Sequence, residues 1–125
     1  MAAPNIVGVT SITGITTFLS LANTNDTVLV SNAASSGRVL KINSLIVAND
    51  DGSNTANIIV SITDAAAGGG TAFKLAHTID IAADSTLVVI DKASSIYLEE
   101  NKSLVVKASA GGDLDVVCSY EEITS

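Results

Sequence analysis

Short apolar runs recur about every 8–12 residues along this chain, separated by segments rich in Asn, Asp, Gly and Ser, and that spacing points to an antiparallel sandwich or barrel. Residues 27–31 form one run, ended by Asn32. Residues 38–49 are long and β-branched, and period two puts Leu40, Ile42, Ile46 and Ala48 on one face. The stretch DDGSN at 50–54 is a turn by composition. In 56–64, Ile58, Val60 and Ile62 face one way and Asn57, Ser61 and Thr63 the other. Gly68, Gly69 and Gly70 then read as a flexible loop tip. Phe73, Leu75, His77, Ile79 and Ile81 alternate next, and 86–90 is nearly continuous apolar sequence. Segments 95–98 and 103–108 flank a polar turn, and Gly111 and Gly112 precede Leu114, Val116, Cys118 and Tyr120. No window carries the period of an amphipathic helix. The expectation is a single all-β domain, an antiparallel β-sandwich, jelly-roll-like, of about eight strands.

A chain of 125 residues fits one domain. Its aromatics are two Phe and two Tyr, so the core must be assembled from small aliphatic side chains rather than rings. That shortfall in large buried groups favours an oligomer. Thirteen acidic residues against six basic ones give a net charge of −7. No basic stripe is available to displace phosphate counterions, so no nucleic-acid partner is expected, and an anionic membrane surface would repel the chain. Residues 1–21 contain no Lys or Arg, and their apolar residues are interrupted by Thr and Ser, unlike a signal peptide. One cysteine excludes an intrachain disulfide.

Charge is distributed unevenly. Residues 1–25 carry none, and Asp26 is the first charged residue. This stretch divides the chain into an uncharged arm or set of first strands, 1–25, and a sandwich domain, 26–125. A free segment this apolar would aggregate. Either it supplies ordinary first strands, or it adds an edge or apolar face to a neighbouring molecule. Its candidate assembly contacts are Ile6, Val7, Val9, Ile12, Ile15, Phe18 and Leu19.

Residues with catalytic chemistry are sparse. His77 is the only histidine and lies in an alternating strand series, as a packed structural histidine would. Cys118 occupies an inward position of the last strand, with no basic neighbour to activate it. One His and one Cys cannot make a structural zinc site. Asp50, Asp51 and Asn54, or Asp113 and Asp115, could offer oxygens to a calcium ion. The first loop lacks the alternating carboxylates and distal Glu of an EF-hand, however, and turn chemistry is the preferred reading. Glu99–Glu100 and Glu121–Glu122 are sequence neighbours that a strand points to opposite faces. No acid, base and nucleophile set is present, so neither an enzyme nor a cofactor is expected.

The segments MAAPNIVGVTSITG, RVLKINSLIVANDDGSNTANIIVSITD and AADSTLVVIDKASSIYLEENKSLVVKASAGGDLDVVCSYEEI resemble small virion structural proteins of tailed bacteriophages, most closely those of marine phages that infect cyanobacteria. The resemblance spans nearly the whole chain. It implies a protein made in the host cytoplasm and built into the virion in many copies, without catalytic residues. The expected role is a capsid decoration or cement protein, binding the major capsid protein or another virion protein and itself, with a homotrimer as the first expectation. A tail, collar or head-fibre component is the alternative within that class. A carbohydrate- or receptor-binding sandwich module is the alternative outside it.

Overall fold

The computed structural model describes residues 5–125. Its strands are β1 (Ser11–Ser20), β2 (Thr27–Asn32), β3 (Arg38–Asn49), β4 (Ala56–Thr63), β5 (Ala72–Ile81), β6 (Thr86–Ile90), β7 (Ile96–Leu98), β8 (Lys102–Ala108) and β9 (Leu114–Thr124). One antiparallel sheet runs β1-β9-β3-β6, with β7 also pairing β3; the other runs β2-β8-β4-β5. The chain crosses between sheets at most connections, giving the jelly-roll order. β6 and β7 fill one position beside β3, joined through a 3-10 turn at Lys92–Ser94. Asp91 caps that turn, its Oδ1 accepting from the Ser94 amide at 3.0 Å. The eight strand positions of the sequence expectation are therefore present, one of them in two pieces.

The core between the sheets is aliphatic. Leu45, Val47, Ile58, Val60, Leu98, Leu104, Val106 and Val116 are fully buried, each adding roughly 1.5–3 kcal/mol of apolar burial. Tyr120 packs against this cluster only in part, and Phe18, Phe73 and Tyr97 lie at the surface.

The pairing of β4 with β8 and of β9 with β1 keeps the alternation of faces, although Ser61 and Thr63 of β4 are buried as well as Ile58 and Val60. Two other strands depart from it. A register shift between Ile42 and Ser44 makes a bulge at Asn43. Beyond it Leu45 and Val47 turn inward, while Ile46 and Ala48, expected on the face of Leu40 and Ile42, turn outward. One extra residue reverses every later side chain. Two further shifts interrupt β5 against β4, and Thr78 sits in the left-handed region at φ 50°. Ala76 and Ile81 enter the core there, and Phe73, Leu75, His77 and Ile79 do not.

Two buried asparagines tie the sheets together. At the end of β2, Asn32 Nδ2 donates to the carbonyls of Arg38 (3.0 Å) and Leu98 (3.1 Å) in the opposite sheet. At the end of β3, Asn49 Nδ2 donates to Ile81 O and Asn54 O, both at 2.9 Å, while its Oδ1 accepts from the Asp51 amide at 3.0 Å. Their amide groups satisfy carbonyls that strand ends would leave without partners. The glycine segment after β4 is held by its own contacts rather than standing free. Asp64 Oδ1 accepts from the Thr71 amide at 2.7 Å. Gly68, at φ 87°, lies so close over β2 that a Cβ there would come within 2.8 Å of Val28 Cγ2.

Candidate assembly surface

The ten residues of β1, SITGITTFLS, contain neither charge nor proline. They pair with β9 from Ser11↔Thr124 to Ser20↔Asp115 without a register shift. Leu21 extends the ladder, its amide donating to Leu114 O at 2.9 Å. The hydroxyl of Ser20 donates to the Asp115 carboxylate, fastening the end of the strand. Residues 11–20 are thus an edge strand of the domain's own sheet, and their other edge has no strand beside it among the described residues. On one side this part of the uncharged segment pairs within its own domain, and on the other it presents an open edge.

The expected contact residues divide between two faces and a turn. Ile6 and Val7 are exposed in a turn where Asn5 Oδ1 accepts from the Val7 amide at 3.0 Å, and Val9 beyond them is half-buried. Ile15 and Leu19 lie opposite Tyr120 and Val116 on the inner face. Ile12 and Phe18 lie opposite Ile123 and Val117 on the outer face, and Phe18 is 74% exposed.

Phe18 heads a row that crosses the whole sheet. It pairs with Val117, Val117 with Ile46, and Ile46 with Val88. Val117 and Val88 are 39% and 55% exposed. Polar residues border the row, with Thr16, Ser119 and Ser44 on one side and Ser20, Asp115 and Thr86 on the other. A groove of about 290 Å³ opens beside it, lined by Phe18, Leu19, Ser20, Asp115, Val116 and Val117. The period-two reading placed Val116 inward and missed Val117. The doublets Val116–Val117 and Val88–Val89 were the available signal, because one member of each must face outward.

The remaining edges carry the devices that discourage strand addition. β2 has a register shift against β8. β5 has two shifts and carries Lys74 and Asp80. β6 is five residues long and is bracketed by Asp84 and Asp91. β7 is three residues long. Among the described residues β1 alone is a long, regular and uncharged edge.

The other residues singled out by sequence are arranged differently. Cys118 is completely buried, and burial pushes its thiol up to about 12. His77 is exposed beside the β5 irregularity, not packed. The carboxylates of the 50–54 and 113–115 turns gather at one end of the sandwich. Asp51 Oδ1 accepts from the amides of Ser53 (2.7 Å) and Asn54 (3.0 Å), and these bonds hold its carboxyl well below the usual range. A hydrogen bond shared with Asp115, and then the charge of Asp115, raise Asp50. Desolvation, followed by the charge of Asp51, raises Asp113. Among the described residues no group of three or more His, Cys, Asp or Glu is placed to hold a metal ion. Glu122 pairs with Arg38 at 3.0 Å, and Glu100 Oε2 accepts from the Gly37 amide at 3.2 Å.

Chains of viral and phage capsids share this two-sheet fold. A chain of the acid-stable capsid of Helicobacter pylori bacteriophage KHP30 is 13% identical, with 93% of this chain and 90% of that one covered at a TM-score of 0.52. The VP2 subviral particle of infectious bursal disease virus gives 13% identity, 91% and 32% coverage and a TM-score of 0.52. The T13 particle of the same virus gives 10%, 93% and 32%, and 0.51. This chain spans about a third of the bursal disease virus chains it matches. At these identities the likeness is one of fold. No protein-family model and no curated protein sequence matches the chain.

Proposed function

We propose that the protein is a virion structural component, a capsid decoration or cement protein that stabilises a phage head as a symmetric oligomer. The observation that carries this reading is the β1 edge, uncharged and unguarded, joined to the apolar row Phe18–Val117–Ile46–Val88. An exposed edge of this kind is a template for strand pairing. The fold of a phage capsid chain, covered nearly end to end, supports the setting. The partner is the major capsid protein or another virion protein, met in the host cytoplasm during assembly. Binding to the mature shell and not its precursor stabilises the shell by mass action, and repetition over a lattice multiplies a modest affinity. No catalytic step is involved. Kinship with phages of cyanobacteria rests on the sequence resemblance. A sugar-binding role has less support, because the exposed Phe73 lies on the other sheet from Phe18 and Tyr97, and β9 and β3 separate those two.

The test is immunogold labelling of purified particles of the phage that encodes the protein. Label over the head is the expected result. Label confined to the tail or collar would transfer the role to those parts, and unlabelled particles would overturn the virion assignment.

A further inference from the structure

We infer that the free edge of β1 pairs antiparallel with β1 of a second copy about a two-fold axis at Ile15, joining two sheets into one. The inference rests on the proposed reading of β1 as the assembly contact and names its occupant. Antiparallel ladders alternate between bonded and non-bonded pairs. Since the Leu21 amide bonds Leu114 O, Ser11, Thr13, Ile15, Thr17 and Leu19 direct their main-chain groups to β9. Ile12, Gly14, Thr16, Phe18 and Ser20 therefore present theirs at the free edge.

The sequence of β1 selects the occupant: about Ile15 the strand is self-complementary, and its exposed Ile12 and Phe18 meet across a two-fold. Two copies of net charge −7 repel as wholes, and β1, which carries no charge, is where that repulsion costs least. The pairing of side chains selects the register. An axis at Ile15 sets Ile12 against Phe18 of the second copy and Gly14 against Thr16, all with outward main-chain groups. Axes at Gly14 or Thr16 would set Phe18 against Thr10 or Gly14, leaving its ring without an apolar partner. A slip that pairs odd with even positions would mismatch both faces and hydrogen bonds. With the axis at Ile15, the row Val88–Ile46–Val117–Phe18 of one copy continues into Ile12–Ile123–Val39 of the other. The two-fold repeats this row on the opposite side. Edge pairing of this kind makes a dimer, in place of the trimer expected from sequence.

Analytical ultracentrifugation of the full chain across the micromolar range tests this. The wild type should reach dimer mass. Phe18→Lys alone and Ile12→Glu alone should each weaken dimerisation about tenfold or more, because two symmetry-related contacts change together. The double variant should recover it, since each introduced lysine faces an introduced glutamate of the other copy. Within one chain those positions lie about 20 Å apart along the strand and cannot pair. Thr16→Pro should also weaken the dimer, because it removes an outward amide at a tolerated edge position, with the melting temperature of the monomer nearly unchanged. A monomeric wild type, single variants that dimerise normally, or a double variant that stays monomeric would overturn the inference. Failure here with head-labelled particles leaves the virion reading intact. A dimer with unlabelled particles does the reverse.

Discussion

Asn49 is buried at the end of β3 with its amide shared between two carbonyls. Asn49→Ala leaves the Ile81 and Asn54 carbonyls without that donor, and should cost about 2–3 kcal/mol in urea unfolding. Neither this residue nor Asn32 stood out in the sequence, where both read as strand-ending asparagines; their role depends on which strand end lies across the core. Cys118 was legible, since its neighbours at Val116 and Tyr120 carry the same period. Its thiol, raised by burial to about 12, should react with an alkylating reagent only through opening of the fold, slowly in buffer and fast in denaturant. Cys118→Ser should cost about 1–3 kcal/mol. At the acidic end, Asp50 is raised by Asp115, so the folded state holds its proton more tightly than the unfolded chain does. Stability from that group is full in acid and falls as pH rises from the ordinary carboxylate value through the raised one. Asp115→Asn removes the repulsion while keeping an acceptor for Ser20. Thermal melts should show a gain at neutral pH that disappears near about pH 3, where Asp50 is protonated in both states.

At the level of elements, the strands whose alternation is unbroken were readable, and those with bulges were not. β4 and β9 present the faces their sequences imply. In β3 the apolar pattern LIVA after Asn43 is compatible with either face, and only the bulge decides that Ile46 turns out. β1 was legible as an uncharged, strand-prone segment, but not as a strand bonded on one side only. The pairing with β9 makes it part of the fold, so deleting residues 2–16 removes much of that ladder. The truncated chain should melt at least about 5 °C lower than the full chain by circular dichroism. An unchanged melting temperature would mean that β1 contributes nothing to its own sheet.

Over the whole molecule, composition foresaw an aliphatic two-sheet core, and strand count foresaw the architecture. Strand order was not legible, because β1 meets β9 and β3 meets β9 across long separations that no local pattern encodes. The row Phe18–Val117–Ile46–Val88 was hidden for the same reason: its members come from four strands and align only once register is set. A jelly roll with one unguarded edge is a unit suited to being repeated, and amide hydrogen exchange resolved by residue measures whether that edge is the contact. In dilute protein, amides of Thr13, Ile15, Thr17 and Leu19 should be protected, and those of Ile12, Gly14, Thr16 and Phe18 should exchange freely. On concentration or assembly the second set should become protected while the first stays as it was. Free exchange of Ile12, Gly14, Thr16 and Phe18 in the assembled state would show that copies meet elsewhere and that β1 is not the assembly surface.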